Sequence, residues 1–409
     1  VAITWAGGGL LAALVLPRLR RRRLAALVPL AAAVAALLSL GGGADLSAAA
    51  APGGLMLGRA AGGLVLVSAL AATLCLLLSP PPDSGEVLVI AACGALSAVA
   101  LASGSPLTWG LCFVAAFALF GLRWVAAAPA RATLAAARVT TLGAATLVGA
   151  APFLPLDASS LPPRAHLAGG LLAGGIAAGF ALVPLGGWVS GGSRLVRRAA
   201  LAPWALLLVP ALLLTTQPLQ SVLPVEARLT FSAILLPAGA ISGVWGALRG
   251  LSLPDGDRYA KVFLADLGLV AMGLATPVAG ARLGSLLLML THLCVGPLLI
   301  HEPAAAASRP RRVAWAALCG VPPGPAFWGR FALITALTSA FGGTVLLAAI
   351  PIAGAVMVIA VRAAMAASAA TSRGPSGRAA GFAAWVPPLA ALTLGLLPAA
   401  SLHTLLGVG

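Results

Sequence analysis

Residues Cys319–Phe331 read CGVPPGPAFWGRF, and this stretch organises the reading of the whole chain. Two adjacent prolines, Pro322 and Pro323, interrupt an otherwise apolar run, and a cation, Arg330, follows a few residues later. Proline has no N–H to give and clashes with the preceding turn, so a helix through this stretch must break. In lipid a broken helix persists only where protein or a water-filled cavity satisfies the freed backbone groups. An arginine beside such a break therefore points inward, toward an ion path and away from lipid. A sister break is expected at Pro184.

Outside this stretch the composition sets the class. The chain has 409 residues, of which 61% are hydrophobic and 8% charged, with a mean hydropathy of +1.06. Such a balance belongs to an all-α polytopic membrane protein, not to a soluble domain. The pI near 11.7 comes from scattered arginines and one lysine, Lys261, with no basic aromatic stripe for nucleic acid. Five cysteines, at 75, 93, 112, 294 and 319, fall in apolar runs without a CxxC pair and read as small core residues. The first apolar run continues into an arginine cluster and another span, as expected for a retained helix and not a cleaved signal.

Apolar runs of membrane-crossing length give fourteen spans, at 1–17, 24–41, 61–79, 87–103, 106–122, 139–156, 167–189, 199–217, 229–249, 259–278, 283–301, 313–341, 343–367 and 381–407. The cations check the count. Of 25, twenty fall in the odd-numbered loops, four in the even ones, and Arg330 lies within a span. The positive-inside rule then places odd loops in the cytoplasm and both termini outside. The chain is expected to form a single transmembrane domain over 1–409. Within it, helices 1–3 occupy 1–86, a first five-helix repeat 87–217, a second 229–367 and a C-terminal helix 381–407. The breaks in spans 7 and 12 lie five spans apart, an odd number, so units holding them face opposite ways. Two such interrupted helices in inverted repeats point to a transport path near the midplane.

Few residues could carry chemistry in so apolar a chain. Arg330 in span 12 either faces the bundle interior or snorkels to an interface. Asp266, in KVFLADLGL of span 10, is a functional candidate or an interfacial helix-packing group, and Lys261 precedes it by a spacing poor for a helical pair. His292, in LTHLCVGPLL of span 11, either relays protons or bonds to a neighbouring helix. His301 and Glu302 read as a solvated helix end, and His166 and His403 stand alone near span ends. The cluster Arg18, Arg20, Arg21, Arg22 and Arg23 either holds anionic lipid at the cytoplasmic face or only orients span 1. No metal-ligand cluster, phosphate-binding loop or nucleophile–base pair is visible. Glycine-rich runs such as Ala168–Gly175 read as helix-packing faces.

These residues carry a resemblance. GVPPGPAFWGRF resembles G-I/V-P-P-x-x-G-F-x-G-K-F, a signature of the antiporter-like membrane subunits (N, M and L type) of respiratory complex I. The family extends to membrane-bound nickel–iron hydrogenases and multisubunit cation/proton antiporters. Arg330 stands at the signature's lysine and Ala326 at one glycine. GFALVPLGGW of span 7 resembles F-K-x-x-x-V-P-F-H-x-W: Pro184 and Trp188 match, while Gly179 stands at the lysine and Gly186 at the histidine. Span 10 resembles K-R-x-L-A-Y-S-S-I-x-x-x-G through Ala260 and Gly268. Span 11 resembles H-x-x-x-K-x-x-L-F through His292, with Gly296 at the lysine.

The resemblance implies a membrane-arm subunit of a proton-translocating NADH–quinone oxidoreductase or related hydrogenase. Iron–sulfur clusters with flavin, or a nickel–iron centre, would sit in partner subunits, with no cofactor in this chain beyond a surface lipid or quinone. Sister membrane subunits would be its partners and the bacterial inner membrane its place. The departures imply a degenerate member. The family's glutamate of span 5 is missing from Leu107–Leu122, Trp204 lies near the lysine position of span 8, and Arg330 cannot readily release a proton. The subunit would then be largely structural, with any remaining track through Asp266, His292 and Arg330. Two alternatives stay open: a secondary cation/proton antiporter, and a structural subunit flanking lipid or quinone.

Overall fold

The computed structural model describes residues 26–41, 59–78, 84–102, 108, 110–116, 118–119, 162–183, 201–216, 223–252, 258–301, 309–320, 322, 324–369 and 384–396. Among them all regular structure is helical. In chain order the helices are α1 (Leu27–Gly41), α2 (Arg59–Leu78), α3 (Ser84–Ala102), α4 (Pro162–Gly179), α5 (Val209–Thr216), α6 (Val225–Ser252), α7 (Arg258–Leu274), α8 (Ala279–His301), α9 (Arg309–Cys319), α10 (Pro325–Phe341), α11 (Leu346–Ala369) and α12 (Val386–Leu396). Spans 2–4 and 7–14 each have a helical counterpart here. Spans 1 and 6 lie outside the described residues, as do Arg18, Arg20, Arg21, Arg22, Arg23, Pro184, Pro323 and His403. Segments Gly85–Ala102, Val225–Ser252, Ala279–Ile300 and Gly343–Ala367 are each long and apolar enough to cross a membrane alone.

Helix α7 is the hub. Every residue from Tyr259 to Leu274 is buried, as expected of a helix apolar on all sides. Lipid tails give helices no hydrophobic reason to associate, so close backbone packing must hold them. The α6–α7 contact works this way, antiparallel, through Gly239, Gly243 and Gly246 facing Gly268 and Ala265. A Cβ on Gly268 would overlap the backbone of Gly239 and Gly243, and one on Gly246 would lie 2.7 Å from Ala265 N. Helices α8 and α10 repeat the device: a Cβ on Gly284 would lie 2.7 Å from the Gly329 carbonyl oxygen.

The break in span 12 falls where the prolines place it. Helix α9 ends at Cys319, followed by Gly320 at φ +77°, the left-handed position that glycine fills without a steric penalty. Helix α10 restarts with Gly324 as N-cap and Pro325 in its first turn, where a missing N–H costs nothing. In span 7 helix α4 already stops at Gly179, five residues short of Pro184, and turns through Phe180–Leu182. Span 8 departs from a plain helix. Its Trp204–Leu208 turn is π-helical, with the Val209 N–H reaching back to the Trp204 carbonyl, and Pro210 lies just beyond.

One expectation needs correction. Several cations assigned to loops lie on helices: Arg249, Arg258, Lys261, Arg309, Arg311 and Arg312 in end turns of α6, α7 and α9, and Arg362 two turns inside α11. Helices continue past the apolar stretch, and long basic side chains lay their stems along apolar surface there. Lys261 and Arg311 are buried outright.

Candidate functional site: a buried Arg–Asp–His triad

Three charged or titratable side chains meet at the centre of the second half, one each from α7, α8 and α10. Arg330 projects from the second turn of α10 and is 4% exposed. Its Nε donates to Asp266 Oδ1 (3.0 Å) and its Nη2 to Asp266 Oδ2 (2.7 Å), a fork-to-fork pair. Its Nη1 donates to the Leu318 carbonyl (2.9 Å), one of the last carbonyls of α9, which has no partner within its own helix. One guanidinium thus neutralises the carboxylate of α7 and caps the helix before the break. Gly320 is part of the seat, because a Cβ there would lie 2.6 Å from Arg330 Nη1.

His292 completes the group from α8, its Nε2 2.9 Å from Asp266 Oδ2. With Asp266 held as a carboxylate by the arginine, Nε2 must be the donor, so the neutral ring carries its proton there. Phe263 packs edge-on against the imidazole, ring centres 4.9 Å apart, and Trp204 packs edge-on against Phe263 at 5.2 Å. The Trp204 indole Nε1 donates to the Gly179 carbonyl (2.8 Å) at the end of α4. An aromatic wall therefore separates the triad from the end of α4.

The structure joins three of the four proposed path residues. Lys261 is turned elsewhere: five residues before Asp266, it lies about 140° round the helix, with its Cβ beside Gly250 of α6. Gly296 holds no cation, and its missing side chain is replaced in space by Tyr259, whose hydroxyl would sit 2.7 Å from a Cβ there. His166 is exposed and bonds Thr230 Oγ1 (2.7 Å), an isolated helix-end contact. Sequence reading missed Tyr259, Phe263 and the Leu318 carbonyl as members of the site. Only the first carried a mark, as the chain's single tyrosine.

Chemically the site is a closed electrostatic unit. The guanidinium is a permanent cation, the carboxylate its counter-ion, and the imidazole a hydrogen-bond donor to that carboxylate. Among the described residues no group of His, Cys, Asp and Glu could hold a metal ion.

No family model and no curated protein matches the sequence. Solved structures do match the fold. A chain of respiratory complex I from Thermus thermophilus, solved with bound aureothin, superposes with a TM-score of 0.75 at 21% identity, covering 100% of both chains. A chain of the Mrp complex from Dietzia sp. DQ12-45-1b gives 0.77 at 15% identity, over 100% of this chain and 51% of that one. A chain of the archaeal membrane-bound sulfane sulfur reductase, a respiratory membrane complex, gives 0.74 at 15% identity, over 100% and 96%. The molecule is an integral membrane protein with the fold of the antiporter-like membrane subunits, the family its broken-helix motif resembles.

Proposed function

We propose that this chain is a membrane-arm subunit of a complex I-like oxidoreductase or a related hydrogenase, seated among sister subunits and conducting protons weakly or not at all. The observation that carries the reading is the Arg330–Asp266 fork. A path that moves protons through the membrane needs a group that can give its proton up. Here the cation beside the break is a guanidinium, which does not readily release its proton, bound to a carboxylate at two points and to a helix end at a third. The neighbours named above belong to multisubunit membrane complexes, which supports a seat among partners. Electron-transfer groups would then sit in other subunits, the odd-numbered loops would face the cytoplasm of a bacterial inner membrane, and lipid would cover the outer faces.

The likeness to the Mrp complex favours one second reading, a cation/proton antiporter subunit. Tagging the chain at its native locus, extracting it in mild detergent and identifying its companions by mass spectrometry separates the two. Co-purifying flavin and iron–sulfur subunits, or a nickel-binding large subunit, support the redox arm. Small membrane partners alone overturn it in favour of the antiporter. Within the assembled complex, Arg330→Ala is expected to reduce assembly more than it reduces protons moved per electron. A fully assembled variant with clearly lowered pumping would contradict the structural role.

A further inference from the structure

Two polar atoms beside the triad are incompletely used. His292 is 1% exposed, and among the described residues its Nδ1 has no hydrogen-bond partner. Its Nε2 is the donor to Asp266, so Nδ1 of the neutral ring is a bare acceptor buried in apolar surroundings, and such a group costs about 1–3 kcal/mol if left unmet. Close by, Tyr259 Oη reaches only the His292 carbonyl, at 3.4 Å, well beyond the usual O–H···O separation of about 2.7–2.8 Å. The phenol and imidazole rings pack edge to face, centres 5.8 Å apart, so both atoms converge on the same turn of α8. Gly296, one turn further along, leaves the hydroxyl its place.

We propose that Tyr259 extends the triad to a tetrad, with one water molecule accepting from Tyr259 Oη and donating to His292 Nδ1. The polar chain then runs Tyr259, water, His292, Asp266, Arg330. It begins on a phenol and ends on a guanidinium. Both are poor proton acceptors at neutral pH, and the aromatic rings of Phe263 and Trp204 lie alongside. Tyr259 is a positioning residue: through the water it engages His292 Nδ1, while Asp266 itself holds the proton on Nε2. The inference deepens the weakly conducting reading, but its test reads histidine nitrogens and not proton flux, so the two can fail separately.

The test uses the full chain in lipid nanodiscs with ¹⁵N-labelled histidine, in a background where His166, His301 and His403 are each changed to Gln. Solid-state NMR then reports His292 alone. The expected spectrum is a neutral ring protonated at Nε2, with Nδ1 shifted as a hydrogen-bonded acceptor and receiving polarisation from water protons. Tyr259→Phe should move the Nδ1 line toward that of an unbonded lone pair while the Nε2 line stays in place. Gly296→Ala, which pushes on the hydroxyl without removing it, should move Nδ1 in the same direction and serves where Tyr259→Phe does not fold. A ring protonated at Nδ1, an imidazolium, an Nδ1 line indifferent to both substitutions, or one without water contact would each overturn the proposal.

Discussion

Among the described residues, the end of α4 and the break between α9 and α10 are closed in opposite ways. At the end of α4 the exposed backbone groups meet neutral partners. The Gly179 carbonyl accepts from Trp204 Nε1 (2.8 Å), and the Val183 N–H donates to Ser242 Oγ (2.7 Å). Between α9 and α10 the Leu318 carbonyl is met by a charge, Arg330, which brings a counter-ion and a histidine with it. Both solutions satisfy the rule that no backbone polar group stays unmet in lipid. Their sensitivity differs. A neutral cap fails alone, whereas a charged cap strands its counter-ion when it fails.

The largest expected effect follows from that asymmetry. Asp266→Asn leaves the Arg330 cation buried with no counter-charge, a change that costs about 3–5 kcal/mol. Thermal unfolding in detergent should show a clearly lowered Tm and membrane abundance should fall. Replacing both partners by apolar groups, Asp266→Leu with Arg330→Met, should recover most of the loss, because an apolar pair of similar bulk commonly matches a buried ion pair. The unmet Leu318 carbonyl keeps the double variant below the wild type. Were the double variant as unstable as Asp266→Asn, the ion pair would not be the element that makes the second break sensitive.

Much of this arrangement could be read from the sequence, and the limits have physical causes. The α9–α10 break was legible because the adjacent prolines Pro322 and Pro323 act through local backbone rules. Asp266, His292 and Arg330 stood out singly because a polar side chain in an apolar run has few tolerable environments. Their meeting was not legible. The members lie 26 and 64 residues apart in the chain, and no helical spacing links residues on three helices. Lys261 was grouped with them by proximity in sequence, while the turn of α7 sends it toward α6. Trp204 and Ser242 act across helices through ordinary donors that composition hides. Several cations read as loop residues lie on helices that continue beneath them.

The neutral break should respond more gently. Trp204→Phe keeps an aromatic ring against Phe263 but leaves the Gly179 carbonyl without its donor, an expected loss of about 1–3 kcal/mol. A Tm drop smaller than that of Asp266→Asn agrees with the contrast. An equal or larger drop would mean that the aromatic wall, and not the ion pair, holds the centre together.

The smallest effect belongs to Ser242. Its hydroxyl accepts from the Val183 N–H and donates to the Ala238 carbonyl of its own helix (2.6 Å). Ser242→Ala removes only the first of these from a group that lacks another partner, since Ala238 keeps its helical bond. Val183 is only partly buried, so water can replace the lost acceptor in part, and a loss of about 0.5–1.5 kcal/mol is expected. Combined with Asp266→Asn, the two losses should add to within about 0.5 kcal/mol if the breaks are energetically separate. Loss well beyond the sum would show that the end of α4 and the triad are coupled through α6 and α7, whose glycine-lined contact is tight enough to transmit a backbone shift.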